Sequence, residues 1–102
     1  MTRTVVVSSE ARRDLLQVVA LLGLVAGPAT ADKWDRKLWK AIDDLAEFPG
    51  GGAPRPALGE HARIVPVHPY VVIYEHVRGS DIVRVLRVVH GRRNITRRLL
   101  RT

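Results

Sequence analysis

The chain has 102 residues, which fits one domain, and we predict a single domain over residues 1–102. Its composition, 46% hydrophobic and 26% charged, is typical of a globular protein and argues against disorder. It has no cysteine, which excludes disulfide scaffolds, thiolate metal sites and cysteine nucleophiles. No apolar run approaches the ~20 residues that span a membrane, so we expect a cytoplasmic protein without a membrane partner.

The net charge of +7 comes from the second part of the chain. Residues 1–60 carry eight basic and eight acidic side chains, whereas residues 61–102 carry nine basic and two acidic ones. After Asp81 there are seven arginines and no acidic residue. We expect this part to attract nucleic acid, an acidic protein segment or an anionic membrane. A solubilising surface is the simplest alternative, although solubilising charge is usually mixed in sign.

The first part of the chain predicts one strand and two helices. Residues 5–7 are a β-branched run, which is typical of a strand. A helix follows over about residues 9–25, and a second helix begins near residues 28–31. The second helix carries an apolar stripe at steps of three and four residues, formed by Trp34, Leu38, Ile42, Leu45 and Phe48. Trp39 falls off this stripe, and the two helices are expected to form a hairpin.

The second part predicts three strands. Residues 50–52 are glycines that we interpret as a flexible connector, and β-rich runs follow at 63–67, 70–77 and 82–89. Pro66 cannot donate a ladder hydrogen bond, so its strand should lie at an edge or carry a bulge. A basic tail, residues 92–102, is expected to form one helical turn or to stay loose until bound.

This order of elements, β-α-α-β-β-β, predicts an α+β fold. Sequential strands usually pair, so the sheet should be small and mainly antiparallel. The helical hairpin should pack on one of its faces.

Few residues point to catalysis. The four histidines lie on different predicted elements, and no metal-ligand spacing is present, so we expect no metal and no cofactor. RNA cleavage without a metal needs a proton-transfer group and cations for the phosphate. His90, with Arg63 and Arg92, offers those residue types. A histidine at the end of a strand, next to arginines, is more often a structural hydrogen-bonding group.

Four segments of the sequence occur together in a specific order and spacing. They are the helix start at residues 8–15, the helix end at residues 42–49, the strand Tyr70–Glu75, and residues 85–94 with their Arg-Val-x-His-x-x-Arg pattern. Together they cover nearly the whole chain. They resemble the ParE branch of the RelE/ParE superfamily, the toxins of bacterial type II toxin–antitoxin systems.

The resemblance implies the same fold and two possible modes of toxicity. RelE-like members cut mRNA in the ribosome, whereas ParE-like members are associated with poisoning of DNA gyrase. RelE-like members carry an arginine after the strand tyrosine, where this chain has Val71 after Tyr70. They also carry lysines on the central strands and a late tyrosine, but residues 61–102 contain no lysine and no tyrosine follows Tyr74.

We therefore expect a toxin that inhibits DNA gyrase and has no catalytic residues of its own. One alternative is a ribosome-dependent mRNA endonuclease that would use His90, Arg63 and Arg92. Another is a basic accessory protein that binds nucleic acid through its tail. Under the hypothesis of gyrase inhibition, the residues expected to bind the target lie at the end of the last strand: Arg87, His90, Arg92 and Arg93.

The resemblance also implies a cognate antitoxin, which would form a hetero-oligomer with the toxin. Because the second part of the toxin is positive, this partner should be acidic and partly disordered until it binds. Its helix is expected to lie on the hairpin, against surplus apolar residues: Leu16, Leu21, Leu24 and Trp39. Trp39 is either half-buried by the neighbouring helix or an anchor for the antitoxin or for self-association.

Overall fold

The computed structural model describes residues 3–100. Its elements are β1 (Thr4–Val7), α1 (Ser9–Ala26), α2 (Pro28–Asp44), β2 (Ala53–Pro54), β3 (Ala62–Val67), β4 (Tyr70–Glu75), β5 (Ile82–His90) and a short 3₁₀ turn (Arg97–Leu100). The predicted α+β class is confirmed, as are the hairpin and the meander. Two residues of the predicted basic tail, Arg101 and Thr102, lie outside the described residues.

The strands form one mixed sheet in the order β1-β5-β4-β3-β2. β3, β4 and β5 pair antiparallel, as the sequence predicts. β1 pairs parallel to β5, with Thr4 opposite Ile82, and neither this pairing nor the two-residue β2 was predicted. β2 pairs only with Arg63 and Ile64 of β3. Pro66 therefore lies where β3 has no outer neighbour, as its missing N–H requires.

The two helices are joined by a single residue. Gly27 has φ of 92°, a left-handed conformation that glycine adopts without strain, and Pro28 starts α2 directly after it. At the other end of α1, the Ser8 side chain accepts a hydrogen bond from the Ala11 N–H at 3.0 Å. Within residues 3–100 no helix is both long and apolar enough to cross a membrane.

The main core lies between the helices and the front face of the sheet. Its fully buried members include Leu38 and Ile42 of α2 and the strand residues Val72, Tyr74, Val83 and Val85. Phe48 was predicted to extend the α2 stripe, and this is wrong. α2 ends at Asp44, the chain then turns, and Phe48 is 67% exposed because the helical phase is lost.

A second apolar layer covers the back face of the sheet, and it was not predicted from the sequence. Its buried members are Leu58 from the loop after β2, Ala62, Ile73 and Val89 from the strands, and Leu99 from the 3₁₀ turn. The C-terminal segment thus forms one helical turn, and it packs on the sheet. The sheet is covered on both faces, by the hairpin in front and by two short segments behind.

The glycines at 50–52 are not a flexible connector, because hydrogen bonds hold this loop. The Tyr74 hydroxyl donates to the Pro49 carbonyl at 2.7 Å and accepts from the Gly52 N–H at 2.9 Å. Arg63 donates to the Gly52 carbonyl at 2.6 Å. A Cβ on Gly52 would lie 2.6 Å from the Tyr74 hydroxyl, so only glycine fits. Burial of this hydroxyl raises the pKa of Tyr74.

We expect Tyr74→Phe to lower the free energy of unfolding by about 1–3 kcal/mol, because it leaves the buried Gly52 N–H without a partner. Urea denaturation measures this change. Tyr70→Phe is the matched control, since the Tyr70 hydroxyl has no hydrogen bond among residues 3–100, and it should cost less than about 0.5 kcal/mol. Equal losses for the two variants would show that the hydroxyl does not hold the loop.

Candidate functional site

The candidate site lies where β5 extends beyond β1. β1 pairs with residues 82–85 of β5, so within residues 3–100 the last residues of β5 have no strand on that side. The first turns of α1 cover this edge instead. Ser8 Oγ donates to the Leu86 carbonyl at 2.9 Å, and the Asp14 carboxylate accepts the Val88 N–H at 2.9 Å. Side chains of a helix therefore replace the missing strand.

A bulge in β5 sets the direction of the residues that follow it. Ile73 of β4 lies opposite Arg87, but the next residue, Tyr74, lies opposite Val85, so Leu86 is an extra residue. As a result Val85 and Val88, three positions apart, both reach the front core. A regular strand would have placed them on opposite faces.

Arg87 forms a buried ion pair with Asp14. Its Nε lies 2.7 Å from Oδ2 and its Nη2 lies 2.9 Å from Oδ1, while Nη1 donates to the Leu99 carbonyl at 2.9 Å. The hydrogen bond with Asp14 raises the pKa of Arg87. Arg87 was predicted to bind the target, but this guanidinium is buried and joins α1, β5 and the C-terminal segment.

The other three residues predicted to bind the target are exposed at the end of β5. His90 fixes the turn that follows, because its Nδ1 accepts the Arg92 N–H at 3.1 Å and its carbonyl accepts the Arg93 N–H at 3.0 Å. The His90 ring meets Tyr70 edge to face at 5.9 Å, and Tyr70 meets Trp34 in the same way at 5.5 Å. This aromatic row ties the end of β5 to α2.

Two clefts flank Tyr70 and His90. One, of about 350 Å³, opens towards α1 and reaches Leu21 and Arg93. The other, of about 480 Å³, lies at the end of the sheet and includes His68 and Arg92. Both clefts therefore combine an aromatic wall with at least one arginine.

Arg63, the third member of the predicted endonuclease set, lies elsewhere. It pairs with Tyr74, whereas His90 pairs with Tyr70, and these positions are about 13 Å apart along β4. Its guanidinium donates to the loop carbonyls of Gly50 and Gly52. The structure brings His90 and Arg92 together but leaves Arg63 apart. Among residues 3–100, no three histidine or carboxylate side chains cluster as a metal site would require.

The residues predicted to bind the antitoxin lie in three places. Leu16 and half-buried Trp39 line a groove of about 330 Å³ between the two helices, with the Arg12 guanidinium 6.0 Å from the Trp39 ring. Leu21 lines the cleft beside His90. Leu24 is 85% exposed towards the end of α1. Most of the apolar surface of α1 is therefore open.

Asp14 and Leu99, the two partners of Arg87, were not predicted from the sequence. Leu99 gave no periodic signal. Asp14 did, because it lies between Ala11 and Leu15 on the buried side of α1, where a charged residue needs a partner. A carboxylate in an apolar stripe could therefore have been matched to an arginine on a buried strand.

Comparison with known proteins now identifies the family. The model of the family described as the ParE toxin of type II toxin–antitoxin systems matches residues 5–95. The chain belongs to the ParE toxin family. It is thus a type II toxin within the ParE/RelE superfamily, as its sequence resemblance implies. No curated protein matches the sequence.

Solved structures of ParE and RelE systems share the fold. The chromosomal ParDE system from P. aeruginosa superposes with a TM-score of 0.73 and 20% identity, over 87% of this chain and 96% of that chain. The RelBE2 toxin–antitoxin complex from Mycobacterium tuberculosis gives 0.60 and 26%, over 88% and 99%. A mutant of the E. coli toxin RelE in the free state gives 0.63 and 12%, over 90% and 86%.

We expect Asp14→Ala to lower the free energy of unfolding by about 3–5 kcal/mol, because it leaves a buried guanidinium without its carboxylate. Asp44→Ala is the matched control. It breaks the exposed pair with Lys40, N to O 3.2 Å, and should cost less than about 0.5 kcal/mol. Urea denaturation of both variants measures the difference.

The double variant Asp14→Leu with Arg87→Met tests whether the unpaired buried charge causes the loss of stability in Asp14→Ala. It removes both charges and fills the space with apolar side chains, so it should be more stable than Asp14→Ala. A double variant less stable than Asp14→Ala would contradict this account of the pair.

Proposed function

We propose that this ParE-family toxin inhibits DNA gyrase in the cytoplasm without covalent chemistry and is neutralised by a cognate antitoxin. The family match supports the toxin class. The observation that carries the choice of gyrase is the distance of Arg63 from His90 and Arg92. A metal-free ribonuclease needs its proton-transfer group and its cations around one phosphate, and the predicted set of His90, Arg63 and Arg92 is not assembled.

The proposed gyrase-binding surface is the turn after β5, formed by His90, Arg92 and Arg93. All three side chains are exposed, and neither arginine forms an ion pair within residues 3–100. The two hydrogen bonds to His90 fix the turn before any partner arrives. The backbone of this turn therefore loses little conformational entropy on binding, which favours affinity.

A second candidate function, cleavage of mRNA in the ribosome, is favoured by one cleft. His68, His90 and Arg92 line the same space of about 480 Å³ at the end of the sheet. Two histidines beside an arginine supply the residue types for acid–base work on a phosphate. The same experiment separates this function from gyrase inhibition.

We expect Arg92→Ala with Arg93→Ala to abolish growth arrest when the toxin is expressed without antitoxin. The concentration that half-inhibits gyrase supercoiling should rise by about tenfold or more, the effect of losing roughly 1.4 kcal/mol of binding free energy. Purified toxin and gyrase give this value directly. The wild type should leave translation and mRNA intact.

Lys33→Ala with Arg36→Ala is the matched control, because it removes two exposed positive charges from α2. It should leave gyrase inhibition unchanged. If the folded double variant of Arg92 and Arg93 still inhibits gyrase fully, the turn after β5 is not the gyrase-binding surface. If the wild type cleaves mRNA and His90→Ala abolishes this cleavage, the second candidate function is correct and gyrase inhibition is not.

The hairpin offers the surface for the proposed antitoxin. Leu16 and Leu24 are 71% and 85% exposed, and Trp39 forms one wall of the interhelical groove. An amphipathic helix lays its apolar face into such a groove, and a tryptophan at the centre is the usual anchor. The acidic, partly disordered character proposed for this partner fits the surplus positive charge of the toxin.

We expect Trp39→Ala to weaken antitoxin binding by about 30-fold, the effect of losing an anchor worth roughly 2 kcal/mol. Phe48→Ala is the matched control, since Phe48 is an exposed aromatic residue outside the groove. Calorimetric titration with antitoxin gives both affinities. If only the Phe48 variant binds more weakly, the antitoxin lies elsewhere.

A further inference from the structure

The C-terminal segment, residues 92–100, presents two different faces. Ile95, Leu99 and Leu100 turn towards the sheet and pack on its back layer. The remaining side chains are exposed: Arg92, Arg93, Asn94, Thr96, Arg97 and Arg98. We call the four arginines among them the arginine face. The outward surface of the segment is therefore polar and cationic.

The arginine face rests on a fixed backbone. Leu99 is buried, its carbonyl accepts a hydrogen bond from Arg87, and its N–H donates to the Thr96 carbonyl at 3.0 Å. Arg93 and Arg98 line a cleft of about 370 Å³ together with Asn94, Thr96, Leu99 and Arg87. The packing of the segment thus fixes the backbone that carries these arginines.

These charges have no internal partner. Within residues 3–100, none of the four arginines forms an ion pair, and no acidic residue follows Asp81 in the sequence. Arg87 at the cleft is already neutralised by Asp14. Four guanidinium groups within seven residues repel one another, so a ligand that carries several regularly spaced negative charges would relieve this repulsion.

We propose that the arginine face binds the phosphate backbone of duplex DNA without reading base sequence. Arginine, asparagine and threonine are donors that contact phosphate oxygens in such interfaces. Around Arg97 and Arg98 the face lacks an exposed apolar side chain, whereas a protein interface needs a buried anchor and a membrane surface needs an apolar insertion. This binding goes beyond gyrase inhibition, because it requires no gyrase.

The test compares the full-length wild type with the double variant Arg97→Gln and Arg98→Gln. Fluorescence anisotropy measures the affinity of each for a DNA duplex of about 20 base pairs between about 50 and 200 mM salt. Each phosphate contact contributes about 0.9 to the slope of log affinity against log salt. With four contacts, the affinity of the wild type should fall roughly 150-fold over this range. With two contacts left, the affinity of the double Gln variant should fall roughly 12-fold. Lys33→Gln with Arg36→Gln, which removes equal charge from the hairpin, should retain the wild-type slope.

Two outcomes would overturn the proposal. Equal slopes for the two double variants would attribute binding to net charge alone. Polyglutamate that competes as well as DNA at equal charge would point to an acidic protein instead. Arg97→Lys with Arg98→Lys should restore most of the binding, which guards against a folding defect. Because no gyrase is present, a failure of this test is separate from a failure of gyrase inhibition.

Discussion

The ion pair between Asp14 and Arg87 is the contact on which the rest of this structure depends. Its carboxylate accepts hydrogen bonds from the guanidinium and from the Val88 N–H, and the remaining guanidinium donor reaches Leu99. It therefore closes the open edge of β5 and holds the C-terminal segment at the same point. Removing two charges from water is costly, so we expect the intact pair to add little net stability over an apolar pair, whereas the loss of one partner is strongly destabilising.

Local periodicity was sufficient to predict both helices and the meander, because apolar residues recur every three or four positions in one and every second position in the other. The back layer could not be found this way, since Leu58 and Leu99 are isolated apolar residues in irregular segments. The bulge at Leu86 breaks the alternation along β5. It therefore places Arg87 opposite Ile73 and Val88 opposite Val72, a phase that regular alternation from Val83 and Val85 does not predict.

The hairpin surface proposed for the antitoxin and the arginine face proposed for DNA lie on opposite sides of the sheet, and the turn proposed to bind gyrase lies between them. The apolar hairpin covers the front, and the C-terminal segment packs on the back. His90 lies between them, in contact with the aromatic row on one side and with the start of the arginine-rich turn on the other. The interhelical groove and the 3₁₀ turn are therefore separate areas, whereas Leu21 and Arg93 share the cleft beside His90.

The parallel pairing of β1 with β5 has a consequence for how the protein is made. Thr4 lies opposite Ile82, so the first strand has no partner until 78 more residues have been synthesised. At typical translation rates this takes about 4–16 s. During that time the hairpin exposes the apolar side that β5 will later cover, and the ion pair cannot form. The nascent chain therefore completes its sheet and its Asp14–Arg87 ion pair only after β5 has been synthesised.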